Sequence, residues 1–111
     1  MIEEVVINYL QEKLDVPSFA ELPEEKTLPC IVVEKTGGGR RNLLDDATLA
    51  IQSYHNSLYE AAQLNELVKN AMYEIVELPQ VSGCRLNSDY NYTDREMKMY
   101  RYQAVFDIYF Y

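Results

Sequence analysis

Ile2, Val5, Val6, Tyr9, Leu10 and Leu14 recur at intervals of three and four, with Glu3, Glu4, Asn8, Gln11 and Glu12 falling mainly on the other side. This spacing predicts an amphipathic helix over residues 2–14, its acids near the positive end of the helix dipole. Asp15, Val16 and Pro17 end it. Pro17, Pro23 and Pro29 exclude a helix from the next stretch, although residues 18–20 read as a short edge strand. The run LPCIVVEKT, residues 28–36, is rich in β-branched side chains and reads as a buried strand. Ala47, Leu49 and Ile51 then alternate with Thr48 and Gln52, which predicts a second strand over about residues 46–54. The two strands form a hairpin around a long, polar, glycine-rich tip.

SLYE, residues 57–60, matches a capping box with Ser57 as N-cap and Glu60 at the third helical position. Leu58, Ala61, Leu64, Val68, Ala71, Met72 and Ile75 extend it into a helix of about five turns, closed off by Pro79. In the last third the period changes to two. Cys84, Leu86, Tyr90 and Tyr92 alternate with Arg85, Asn87, Asp89 and Asn91. Tyr100, Tyr102, Ala104, Phe106, Ile108 and Phe110 share one face of the final run, and Arg101, Gln103, Asp107 and Tyr109 the other. With TDRE, residues 93–96, as the turn, these are two strictly alternating antiparallel strands. The expected class is α+β: an antiparallel sheet built from two hairpins, with two helices packed on one face.

The chain of 111 residues has room for one core, so residues 1–111 form a single domain. Its 48% hydrophobic and 25% charged residues are ordinary for a soluble globular protein, and no apolar run approaches the roughly 20 residues of a membrane helix. The opening MIEEVVINYL lacks the positive flank of a secretory leader, so cytoplasmic synthesis is expected. Cys30 and Cys84 read as reduced, buried thiols, and with the single His55 they are too few to hold structural zinc. No metal or cofactor is implied. The net charge of −8, from 18 acidic and 10 basic residues, argues against a surface that grips nucleic-acid phosphates. It suits a surface that repels DNA or meets a basic partner.

KTGGGRRN, residues 35–42, is the most conspicuous stretch for chemistry. A phosphate loop needs Gly-x-x-x-x-Gly-Lys-Ser/Thr between a strand and a helix; here Arg40 and Arg41 follow the glycines and the next element reads as a strand. A mobile hairpin tip is the reading that remains, with arginines suited to a carboxylate-bearing partner. His55 stands without a nucleophile motif, and reads as structural or solvent-facing. Asp45 and Asp46, like Glu24 and Glu25, are neighbours whose side chains diverge on an extended chain, so neither pair makes a two-carboxylate site. Asn91-Tyr92-Thr93 fits the glycosylation sequon, which is silent without secretion.

Six of the ten tyrosines, Tyr90, Tyr92, Tyr100, Tyr102, Tyr109 and Tyr111, crowd the final hairpin. Cross-strand packing within one sheet explains some of them. Aromatics on both faces of one strand also fit a sheet that meets helices on one side and a neighbouring subunit on the other, with Tyr109 and Tyr111 as interface candidates.

The short first helix, the proline-led strand Leu28-Pro29-Cys30-Ile31-Val32-Val33, the flexible tip, the capped second helix and the tyrosine-rich hairpin together resemble the tail terminator, or tail-completion, proteins of long-tailed bacteriophages and prophages. That resemblance implies a non-enzymatic assembly part. It would form a ring, commonly hexameric, that caps the tail tube and offers a surface to the head connector, while DNA only passes through. It would work in the virion tail and, during assembly, in the host cytoplasm. The tip of Gly37, Gly38, Gly39, Arg40 and Arg41, with Asn42 to Asp46 including Asp45 and Asp46, would correspond to a loop touching the tube or an adjacent subunit. A small protein-binding adaptor using the tyrosine hairpin is the alternative, and an enzyme built on His55 or the paired acids is the remainder.

Overall fold

The computed structural model describes residues 1–25 and 27–111. The chain runs α1 (Ile2–Leu14), β1 (Ser18–Phe19), β2 (Cys30–Arg41), β3 (Leu44–His55), α2 (Leu58–Tyr73), β4 (Val81–Asn91) and β5 (Tyr100–Phe110). The strands make one sheet in the order β1-β2-β3-β5-β4, antiparallel except where β1 runs beside β2. This is the expected α+β class. α2 carries the chain from β3 to the far edge, where β4 lies parallel to β3 with β5 inserted between them.

Both helices cover the same face. The stripe of α1 buries Ile2, Val6 and Leu10, while α2 buries Ala61, Leu64, Val68, Ala71 and Met72. They close on Ile31 and Val33 of β2, Ala47, Leu49 and Ile51 of β3, and Ala104, Phe106 and Ile108 of β5. The period of two in the strands thus supplies one apolar layer, and the helical period supplies the other. Asp15 stops α1 in the left-handed conformation at φ 54°, its N–H donating to Gln11 O at 3.0 Å. Ser57 Oγ accepts from Glu60 N–H at 3.2 Å, as the capping pattern requires. The Glu60 carboxylate turns instead to His55, 3.0 Å away.

Four details depart from the sequence reading. The glycine stretch is not a long tip: β2 continues through Gly37, Gly38 and Gly39 to Arg41, paired in register with Thr48 back to Leu44. The turn is Asn42 and Leu43 alone, both left-handed at φ 52° and 67°. A two-residue turn of that hand matches the twist of paired strands, and the long pairing behind it overrides the poor strand propensity of glycine. The alternation in β4 is not strict either. Register shifts after Val81 and after Leu86 place Asp89 opposite Ala104 and Tyr90 opposite Gln103. Asp89 therefore points to the helices and Tyr90 to the open face, because each bulge inserts one residue and inverts the faces beyond it. The second helix ends at Tyr73, and Ile75 reaches the core from a separate 3-10 turn, Ile75–Glu77. The last hairpin turns at residues 95–98 rather than 93–96, after Asp94 bridges Met99.

Candidate interaction surface

β2 leaves the core early. Cys30, Ile31, Val32 and Val33 are buried; from Glu34 to Arg41 the strand is exposed apart from half-buried Gly37. β1 pairs only with Ile31 and Val32, so among the described residues the outer edge of β2 has no strand partner beyond them. At the far end of the hairpin an open cleft of about 620 Å³ is lined by Gly39, Arg40, Arg41, Asn42, Leu44, Asp46 and Tyr109. Five of the sequence candidates meet there: Gly39, Arg40, Arg41, Asp46 and Tyr109. Tyr111 lies outside the cleft, 75% exposed, its N–H donating to Gln80 O at 3.0 Å.

Asp45 and Asp46 diverge, as neighbours on a strand must. Asp45 faces Arg40, which donates from Nε to Oδ1 at 2.6 Å and from a terminal guanidinium nitrogen to Oδ2 at 3.4 Å. The Arg40 hydrogen bond holds the Asp45 carboxyl below its ordinary range. Asp46 sits opposite both Gly39 and Tyr109 on the other face. Arg41 has no ion pair among the described residues. Leu43, which the sequence reading passed over, is 91% exposed at the turn. A leucine at φ 67° also carries a left-handed backbone that glycine or asparagine adopts more readily, so neither burial nor backbone preference accounts for it.

The glycines separate into two kinds. A Cβ on Gly38 would sit 2.7 Å from Asp46 O and 3.0 Å from Lys35 Cε, so the fold itself excludes a side chain there. Gly37 would meet only Thr48 Cβ at 4.0 Å, and Gly39 only the Asp46 carboxylate oxygens at 3.7 Å. None of the three uses a positive φ. Gly38→Ala is therefore expected to cost about 1–3 kcal/mol by overpacking, and Gly37→Ala to fall within about 1 kcal/mol of neutral or to stabilise. Urea unfolding of the two variants separates them; equal costs would contradict the assignment.

The open face of the sheet carries a hydrogen-bonded row across four strands. Gln52 Nε2 donates to Gln103 Oε1 at 2.8 Å and to Glu34 Oε2 at 3.4 Å, and Gln103 Nε2 donates to Tyr90 Oη at 2.6 Å. Arg101 donates to Tyr54 Oη at 2.9 Å and lies 4.5 Å from the Tyr92 ring centroid. Tyr54 is fully engaged within the chain and Tyr90 and Tyr92 partly so, whereas Tyr90, Tyr92 and Tyr100 remain a third or more exposed. The aromatics thus serve the chain's own packing in part, and leave surface over.

Under the helices, Asp89 accepts from Asn65 Nδ2 at 2.9 Å and pairs with Lys69 Nζ at 2.9 Å. The hydrogen bond from Lys69 holds the Asp89 carboxyl low, with that from Asn65 adding to it and burial opposing. Asp89→Ala is expected to cost about 1–3 kcal/mol at pH 7, because the fully buried Asn65 loses its acceptor. A carboxyl lowered on folding stabilises fully above its unfolded value of about 4, and that contribution fades as pH falls through the folded value. The gap between variant and parent should therefore narrow below about pH 4 in urea unfolding; a gap independent of pH would contradict this.

His55 ends β3, with Nδ1 accepting from Asn56 N–H at 2.8 Å and lying 3.0 Å from Glu60 Oε2. It borders an open cleft of about 370 Å³ with Leu28, Tyr54 and residues 97–100. The Glu60 contact ties the end of β3 to the first turn of α2. Cys30 is buried on the open face, against Val32 and Tyr54, while Cys84 packs on the helix side. Burial pushes the Cys84 thiol up to about 11, which disfavours the reactive thiolate. Among the described residues no three His, Cys, Asp or Glu side chains are placed to hold a metal ion, and no helix is long and apolar enough to cross a membrane. No protein-family model matches the chain, and no curated protein matches it either.

Proposed function

We propose that this protein is a structural assembly part that joins copies of itself into a ring, as a tail terminator of a long-tailed phage or prophage. In this reading the ring caps the tail tube and meets the head connector, and DNA passes through without being bound. The observation that carries it is the turn of the β2–β3 hairpin, where Leu43 is 91% exposed on a left-handed backbone, on a chain of net charge −8. An exposed leucine on a left-handed turn has no use within the subunit, but it fits a pocket on a neighbour. The exposed parts of Tyr90, Tyr92 and Tyr100 supply a second patch, and a ring needs two different patches on each subunit. Carboxylates in excess keep DNA from adhering to such a ring.

Negative-stain imaging of the purified protein tests this reading. Annular particles of one symmetry with a central opening are expected. A field of compact particles with no ring at any concentration would refute it and favour the adaptor role.

A further inference from the structure

We propose that the outer edge of β2, from Gly37 to Arg41, is a strand-addition site for an extended, carboxylate-bearing segment of a different protein, seated in line with β1. This rests on reading the hairpin as a contact device, and ring closure is left to a separate measurement.

β1 already shows how an extended segment sits on this edge, but it stops at Val32. Beyond the irregularity between Lys35 and Gly37, the strand runs on to Arg41 without a further break, and among the described residues its outward backbone groups have no strand to bond. Natural edges are commonly guarded by bulges and charged side chains. β4, the opposite edge, has two register shifts; β2 has one, between Lys35 and Gly37, and the unbroken stretch beyond it carries three glycines before Arg40 and Arg41. Gly37 and Gly39 have space for a Cβ and no positive φ, so their bareness is unused by the fold. Glycine in a strand is expected where another backbone approaches closely.

Charge selects the occupant. Lys35, Arg40 and Arg41 place three of the ten basic residues in seven positions, with no acid between them. Residues 35–42 thus carry +3, and the remainder of the chain −11, since the whole is −8. Antiparallel pairing of two copies through this same edge would bring Arg40 and Arg41 against the Lys35 end of the other copy, which like charges oppose. The bulged β4 edge of a second copy offers no regular register. A separate acidic strand meets both requirements: backbone groups for the edge, and a carboxylate for Arg41.

Amide hydrogen exchange on the intact protein tests the site, with the peptide Ac-Thr-Glu-Val-Glu-Val-Glu-Thr-NH2 as the probe and its lysine-for-glutamate analogue as the control. The acidic peptide is expected to slow exchange at outward amides of residues 37–41 by tenfold or more, and the lysine analogue to leave it unchanged. Arg41→Glu, which spares the Arg40–Asp45 pair, and the double variant Arg40→Glu/Arg41→Glu should both abolish the response while core amides at residues 47–51 stay protected. Four outcomes would overturn the proposal: no slowing, equal slowing by the lysine analogue, slowing confined to β4, or protection without peptide that rises with protein concentration. The last would make a second copy the occupant. Particle mass in the same samples distinguishes the two readings: rings indifferent to the peptide sink strand addition alone, and monomers that bind it sink the ring alone.

Discussion

Phe106→Ala is expected to lower the unfolding free energy by about 3–5 kcal/mol. Phe106 is 2% exposed in the middle of β5, opposite Leu49 on one side and Leu86 on the other, under the helix layer. Removing the ring takes away apolar burial and leaves a void that is hard to close, because β3 pairs with β5 without a break and the helices cover this face. For a domain whose whole stability is about 5–15 kcal/mol, the variant should be marginal at 37 °C. Val105→Ala, one position along on the open face and half-buried, should cost about 1 kcal/mol. Urea midpoints for the pair read the difference directly. Equal costs would mean that the helices do not pack on the face assigned to them.

The second large effect concerns binding and not folding. Arg40→Glu/Arg41→Glu should leave the unfolding midpoint nearly unchanged, since the Arg40–Asp45 pair is solvent-exposed and such pairs contribute about 0–1 kcal/mol. The same change takes residues 35–42 from +3 to −1, and the hairpin end that includes Asp45 and Asp46 from +1 to −3, by two replacements of +1 with −1. A basic edge facing an acidic partner becomes a repulsive one, and like-charge juxtaposition at a contact costs several kcal/mol. Affinity for the acidic peptide should therefore fall at least tenfold, measured by titrating parent and variant at matched concentration. Undiminished peptide binding by a folded double variant would remove this edge from the contact.

The helices and the central strands were legible in the sequence because their burial follows one period throughout. Ile2, Val6 and Leu10, or Ala104, Phe106 and Ile108, each report a face without ambiguity. What escaped did so for identifiable reasons. Glycine carries no side chain to show a period, so nothing in residues 37–39 distinguished paired strand from loop, and the pairing with residues 46–48 decided it. Bulges in β4 leave no compositional mark, which is why Asp89 and Tyr90 exchanged faces. Of the candidate contact residues, Gly39, Arg40, Arg41, Asp46 and Tyr109 converge through the register of β2, β3 and β5, a relation invisible until the strands are aligned. Leu43 was missed because it lay within a tip read as polar and glycine-rich, where a single apolar residue set no period.

Light-scattering mass across a wide concentration range bears most directly on whether this chain works by fitting against its own copies. A discrete species at a whole multiple of the 12.9 kDa subunit is the predicted result, and for six subunits that is about 77 kDa. A mass of one subunit at every concentration would contradict it.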